Sequence, residues 1–278
     1  MAVTLPALTF LGAGSMASAI IAGLLDPEVQ VDGPIRVTNR TASSAARFGG
    51  VEGVESLVLD GDAEANRRAV AGAKLVVVAV KPAMVGDLLD EIAPALADDA
   101  VLVSVAAGVT TAAMEARLPA GVAVVRTMPN TPAQVGRGVT GIAAGSRASE
   151  TDVALVEALF ATVGSTVRLD EDRIDALSTI SGSGPAYVFY LIEQFEAAAR
   201  ALGFDQAQAA LMVRETFAGS LELLAASGEE PTELRRRVTS PNGTTERAIA
   251  VFDQNDLAAT FRSATEAALA RARELASS

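Results

Sequence analysis

The 278-residue chain carries 22 basic and 34 acidic side chains, a net charge of −12, and has no histidine, cysteine or tryptophan. A histidine-dependent triad, a thiol nucleophile, a His- or Cys-ligated metal and a disulfide framework are therefore excluded. Half the residues are hydrophobic and a fifth are charged, the balance of a folded globular chain of one or two domains. The acidic charge and the lack of a visible basic patch argue against nucleic acid as a partner. There is no basic leader segment, the first apolar run (7–11) stops at Gly12, and no apolar stretch approaches the ~20 residues that span a bilayer. No membrane partner is expected, and the cytoplasm is the default location. Only Lys74 and Lys81 are lysines, so no lysine acid, base or Schiff-base amine exists beyond residue 81.

Taken in chain order, residues 8–11 read as a buried strand and 15–25 as a helix opened by Gly12-Ala13-Gly14. Further strands are expected at 35–38, 75–80, 101–104 and 122–126, with Ala-rich helical stretches between them. The valine-rich 75–80 run suits a central parallel strand covered on both faces. Residues 139–144 and 166–169 read as later strands near a sheet edge. This alternation predicts an α/β, Rossmann-type doubly wound parallel sheet. Beyond about residue 170 only helices are expected, at 187–202, 206–226, 231–238, 244–252 and 256–276. The boundary falls within 165–172 and divides residues 1–168, a dinucleotide-binding domain, from 169–278, an all-α domain. The 187–202 helix is apolar on more than one face, which suits a deep core or a subunit interface.

Gly12-Ala13-Gly14-Ser15-Met16-Ala17 is a G-x-G-x-x-A pattern placed between a strand and a helix, the context a dinucleotide site requires. Gly12 permits the tight turn, Gly14 lets a pyrophosphate approach the backbone, and Ala17 lets the helix pack closely on the sheet. The second strand ends in Asn39-Arg40-Thr41 without the acid that binds the ribose of NAD, so a 2′-phosphate and hence NADPH is favoured. Two further strand ends border the same crevice. One is Ala79-Val80-Lys81-Pro82. The other is Val105-Ala106-Ala107, whose small side chains leave room for a flat ring.

Two glycine-rich segments lie in the helical part. Residues 181–186 (Ser-Gly-Ser-Gly-Pro-Ala) and 239–246 (Thr-Ser-Pro-Asn-Gly-Thr-Thr-Glu) both read as turns entering helices. Each is explained equally well as plain capping, by Ser183 or Gly184 in one and Thr244 or Thr245 in the other, or as a set of free N–H groups for an anion.

Six segments in order resemble the Δ1-pyrroline-5-carboxylate reductase family: 12–17, 79–82, 106–109, 126–132 (Arg-Thr-Met-Pro-Asn-Thr-Pro), 175–187 and 238–245. The resemblance implies reduction of 1-pyrroline-5-carboxylate to L-proline, the final step of proline biosynthesis, by hydride from NADPH, with NADH as a second donor. It implies that residues 12–17 hold the pyrophosphate and that Asn39, Arg40 and Thr41 hold the adenosine phosphate. Asn66, residues 79–82, residues 105–107 and Arg237 would make the remaining cofactor contacts. It places Glu171, Ser240, Gly243, Thr244 and Thr245 at the substrate, a cyclic imino acid, with the Thr245 hydroxyl at the imine nitrogen. It also implies homodimers paired through the helical domain, often assembled into larger rings such as decamers. Asn242 stands where the family usually has glycine; asparagine best tolerates positive φ, so the turn should survive.

The alternative enzyme is an imine reductase acting on other cyclic imines. A β-hydroxyacid dehydrogenase would need a lysine in the helical half, and none exists. A noncatalytic NADP sensor would leave the last turn as a mere cap.

Overall fold

In the computed structural model, residues 3–277 are described. Ten strands form: β1 (Val3–Leu5), β2 (Leu8–Leu11), β3 (Val29–Val31), β4 (Ile35–Asn39), β5 (Val54–Val58), β6 (Leu75–Val78), β7 (Val101–Ser104), β8 (Ala123–Met128), β9 (Gly138–Ala144) and β10 (Gly164–Arg168). The helices are α1 (Ser15–Leu24), α2 (Ala42–Ala45), α3 (Ala65–Val70), α4 (Val85–Ile92), α5 (Thr111–Glu115), α6 (Glu150–Ala161), α7 (Ile174–Leu177), α8 (Gly184–Ala201), α9 (Gln206–Ser227), α10 (Pro231–Arg237), α11 (Thr244–Gln254) and α12 (Leu257–Ser277). Among the described residues no helix is long and apolar enough to cross a membrane. The chain divides into two compact units, one running to Ser183 and including the segment from Leu269, the other Gly184–Ala268.

The first unit is built on an eight-stranded sheet of order β10-β9-β8-β7-β6-β2-β4-β5. Its central strands are continuous apolar runs because both faces are covered. Phe10, Val77 and Val103 join one core with Ile20, Ile21 and Phe160, whereas Leu11, Val76, Val78 and Leu102 join another with Leu89, Ile92 and Met114. Alternate residues of the same strands thus feed opposite layers, as the two-residue strand period requires. Each fully buried Val, Leu or Phe contributes about 1.5–3 kcal/mol.

The expected parallel sheet forms with one exception. β8 and β9 pair antiparallel, Val125 opposite Ala144, because residues 129–137 are too few for a crossover, which takes about a dozen. Three strands escape the sequence reading. β5, only partly buried at the sheet edge, lacks a long apolar run. β1 and β3 form a separate two-stranded parallel sheet. The valine-rich strand ends at Val78, and Pro82 opens a short 3₁₀ turn. Residues 169–183, placed by sequence with the helical domain, pack instead with the sheet unit. A buried arginine holds them there, as described below.

The second unit contains α8 to α11 and most of α12. Asp205 and Gln208 form a capping box at the start of α9, and Gly228 in the left-handed conformation ends it. Phe195 of α8 meets Phe217 of α9 edge to face at 6.4 Å. Apolar side chains remain uncovered in the single chain, among them Phe189 (67% exposed), Tyr190 and Leu211. Of the two positions that sequence leaves open for the 187–202 helix, deep burial within the chain is not the one found.

Gly164 opens β10 at φ +148°, and a Cβ there would lie 2.1 Å from the Gly138 carbonyl oxygen. Gly164→Ala must therefore force β9 and β10 apart, at about 3 kcal/mol. Urea titration should show a clearly lowered midpoint; an unchanged midpoint would disprove the contact.

Candidate active site

The carboxyl ends of β2, β4, β6 and β7 converge on one edge of the sheet, the place where parallel sheets bind ligands. The Gly12 amide donates to the Thr38 hydroxyl at 3.3 Å, joining the ends of β2 and β4. Gly12 has φ +93°, and a Cβ there would touch the Ala79 carbonyl oxygen at 3.0 Å and Val80 at 3.1 Å. Gly14 differs. It is the N-cap of α1 in extended conformation, and a Cβ on it would meet nothing within 4 Å. Gly12 is thus required by the protein's own packing, whereas the space over Gly14 is open to a ligand. No side chain caps α1, no acid lies in its first turn, and its free N–H groups suit a pyrophosphate. Ser15 is exposed there, Met16 and Ala13 pack against the core, and Ala17 is fully buried.

Two hollows lie along this edge. The first, of about 330 Å³, is bounded by Gly12, Thr38, Arg40, Asn66, Val80 and Glu91, among others. The second, of about 260 Å³, is bounded by Pro82, Ala107, Gly108, Arg126, Met128, Asp175 and Ser178. Residues 79–82 run between them, contributing Val80 to one and Pro82 to the other. The pair suits the two halves of a dinucleotide. Arg40 and Lys81 are exposed. Thr41 caps α2, its hydroxyl accepting from the Ser44 amide at 3.3 Å. Asn39 and Asn66 are buried, and the side-chain oxygen of each accepts no hydrogen bond. Such orphaned acceptors call for an explanation, and a bound ligand supplies one. Of residues 105–107 only Ala107 borders the second hollow; Val105 packs against one core and Ala106 is buried in the other, its amide donating to Ser104 Oγ at 3.2 Å. Sequence reading missed Arg47, whose guanidinium reaches the Ala13 carbonyl at 3.2 Å and Ser18 Oγ at 3.1 Å. An arginine so far along the chain gives no local sign of this placement.

Sequence reading also assigned no role to Arg126, although the segment containing it carries part of the family resemblance. Its side chain is 5% exposed and pairs with Asp175 at 2.7 Å and Glu171 at 3.4 Å. Glu171 in turn accepts from the Thr111 amide at 2.7 Å and the Thr111 hydroxyl at 2.6 Å. Both oxygens of Glu171, a residue assigned by resemblance to the substrate, are therefore engaged within the sheet unit. The Asn130 side chain donates to the Ser181 carbonyl at 2.9 Å and accepts from the Val139 amide at 2.8 Å. These clamps shape the next segment. Residues Ser178–Gly182 form a π-helical turn, with the Ser183 amide bonded to the Ser178 carbonyl at 2.8 Å. The first part of the glycine-rich 181–186 segment is thus wound into this π turn, while Gly184-Pro185-Ala186 open α8 with the proline in its first turn, as expected of a segment entering a helix. The π turn, a form often found at functional sites, borders the second hollow through Ser178.

In the second unit, α11 begins at Thr244 after Gly243 as N-cap, with no side-chain cap. Neither threonine caps the helix, and its first-turn N–H groups lack intrahelical partners. Asn242 takes φ 60°, the conformation expected of it in place of glycine, and its amide donates to Glu246 at 2.9 Å. A Cβ at Gly243 would lie 2.9 Å from the Ser240 carbonyl oxygen, so a glycine is needed there. Arg237 pairs with Glu229 at 2.8 Å and Glu233 at 3.1 Å. Arg236 and Arg237 hold the Glu233 carboxyl at about 2, with the hydrogen bond from Arg236 as the main cause.

Residues 171–275 match the family described as pyrroline-5-carboxylate reductase dimerisation, and residues 7–108 match NADP oxidoreductase, coenzyme F420-dependent. The chain is 39% identical to the pyrroline-5-carboxylate reductase of Pseudomonas aeruginosa, over 98% of this chain and 97% of that one. It is 34% identical to the enzyme of Corynebacterium melassecola, over 95% and 97%. The solved pyrroline-5-carboxylate reductase of Coxiella burnetii superposes with a TM-score of 0.87 at 34% identity, covering 96% of this chain and 97% of that one. The Plasmodium falciparum pyrroline carboxylate reductase, solved with NADP bound, gives 0.81 at 25% identity, covering 97% and 98%. A dimerisation family over the helical part agrees with a homo-oligomer. Likeness of this degree along nearly the whole of each chain has one meaning: the chain belongs to the pyrroline-5-carboxylate reductase family.

Proposed function

We propose that this chain reduces 1-pyrroline-5-carboxylate to L-proline with NADPH, the last step of proline biosynthesis. The observation that carries the reading is a dinucleotide crevice and an uncapped α11 entrance in one chain of this family. Bound NADPH supplies the hydride. The substrate nitrogen is basic enough to take up a proton near neutral pH, so a chain without histidine can still activate it.

Residues 12–17 hold the pyrophosphate on the open amides of α1, and Arg40 takes the 2′-phosphate beside Asn39 and Thr41. Asn66 and residues 79–82 and 105–107 line the remaining cofactor path. The first-turn amides of α11, with Ser240 and Gly243 shaping the turn, hold the substrate carboxylate. The Thr245 hydroxyl orients the imine nitrogen or relays its proton; a hydroxyl this weakly acidic is no strong general acid. Glu171 acts on the substrate only indirectly, since Arg126 and Thr111 occupy its oxygens. Arg237 belongs to the cofactor contacts by resemblance, and would have to exchange Glu229 and Glu233 for a phosphate. The uncovered apolar side chains of α8 and α9 support pairing of helical units into a homodimer, the building block of a larger ring. The enzyme works in the cytoplasm.

The direct test is oxidation of NADPH on adding the imino acid, compared with a piperideine carboxylate and an imine lacking the carboxylate. Rapid turnover of the uncarboxylated imine would favour a broader imine reductase. Exchanging Arg40 for Asp should raise KM for NADPH roughly 10- to 100-fold, the worth of a hydrogen bond to a charged group, while KM for NADH falls or holds. An unchanged preference would remove Arg40 from phosphate recognition. Thr245→Ala should lower kcat by roughly 10- to 100-fold with little change in NADPH binding, and Thr245→Ser should restore most of it. Full turnover by the alanine variant would sink the role given to this hydroxyl.

A further inference from the structure

Glu91 stands on the wall of the larger hollow, where an acid opposes a ligand carrying phosphates. No sequence motif includes it. Its carboxylate Oε2 accepts from Asn66 Nδ2 at 3.2 Å. A carboxylate only accepts, so this contact dictates which way the Asn66 amide is turned, leaving Oδ1 on the other side. Asn66 is 5% exposed, and that Oδ1 has no hydrogen-bond partner. The protein thus supplies a buried acceptor in a ligand-sized hollow and no donor to match it. The backbone beneath Glu91 is anchored separately, since Arg67 Nε donates to its carbonyl oxygen at 3.0 Å. The side chain can therefore be changed without releasing α4 from α3.

We propose that Glu91 is a positioning residue for the cofactor: it locks the Asn66 amide with Oδ1 turned away from the carboxylate and free to accept from a hydroxyl or amino group of the adenosine half. A phosphate, being an acceptor itself, cannot pair with that oxygen, and the 2′-phosphate is left to Arg40. The proposal rests on the reading that the hollow takes NADPH, and it explains why an acid is kept beside an anionic ligand. Because the group recognised is common to both dinucleotides, Glu91 governs affinity for NADPH and NADH alike, whereas Arg40 governs NADPH alone.

The test measures dissociation constants of NADPH and NADH by dinucleotide fluorescence, together with melting temperature, on the full chain. Glu91→Ala should weaken both dinucleotides by about fivefold, the span of one neutral hydrogen bond, at an unchanged melting temperature. Glu91→Gln, whose amide oxygen still accepts from Asn66 Nδ2, should return to within about twofold of the parent. In an Asn66→Ala background Glu91→Ala should have no further effect. If both Glu91 variants instead bind more tightly by the same factor, the residue acts only by repulsion and the proposal falls. It falls equally if the Glu91→Ala effect persists without Asn66. Gly14→Val separates the two readings, because its side chain fits the protein yet fills the open space over α1. Unaltered NADPH affinity in that variant would overturn the cofactor reading itself. Lost affinity there with an unaffected Glu91→Ala would overturn the Glu91 role alone.

Discussion

The architecture depends on one seam, the parallel pairing of β2 with β6, Leu8 beside Leu75 through Leu11 beside Val78. The chain leaves these neighbouring strands toward opposite layers. After β2, α1 packs Ile20, Ile21 and Leu24 into one core; after β6, α4 packs Leu88, Leu89 and Ile92 into the other. Two connections that part in this way must leave a crevice at the strand ends. The seam is also tight, since Gly12 sits where any Cβ would press on the Ala79 carbonyl oxygen. The first glycine of the motif is therefore a packing requirement of the sheet.

A chain of net charge −12 that receives an anionic cofactor and a carboxylate substrate has to make its positive potential locally. Much of the surface charge is neutralised in pairs: Asp62 with Arg68, and Glu157 and Glu150 with Arg168. The carboxyls of Asp62 and Glu157 lie below the usual range through their arginine hydrogen bonds. In the proposed reading, the positive features that meet the ligands are directional: the amide ends of α1 and α11, Arg40, and Arg47 across the glycine loop. Helix ends serve well here because their partial charge falls off within a turn, so the strength acts at the site and not along the surface. The buried Arg126 does not belong to this group. Its charge is taken up by Asp175 and Glu171, and its effect is mechanical, holding residues 171–183 against the sheet.

How much of this was legible in the sequence followed from the range of the interaction responsible. The stretch from Leu75 to Val80 announced a strand covered on both faces, because its apolar character is unbroken over six positions. The G-x-G-x-x-A loop announced its own backbone geometry, and Asn242 its positive φ. Legibility failed where distant residues decide. The glycines and serines before Gly184 read locally as a turn, but Arg126 and Asn130, some fifty positions upstream, anchor Asp175 just before and Ser181 within a π turn at Ser178–Gly182. Glu171 looks available to a substrate until Thr111 and Arg126 are placed on its oxygens. Glu91 lies outside every motif, because its meaning comes from Asn66 on another helix. The antiparallel turn of β9 depends on the length of a loop, a quantity the strand pattern alone does not weigh.

The missing histidine then finds its place in the same logic. A carbonyl substrate would need a strong acid at the oxygen, and this chain would have to bury and tune one. An imine nitrogen holds its own proton, which lowers the demand on the protein to orientation and charge complementarity. Orientation is what rigid elements provide: a helix end fixes a carboxylate through amides that cannot rotate away, and a β-branched threonine at the second helical position has few rotamers to choose from. The chemistry can therefore be carried by backbone and hydroxyl groups, whose protonation does not change between mildly acid and mildly alkaline pH. The composition that excludes so many mechanisms is the one a reaction of this kind can tolerate.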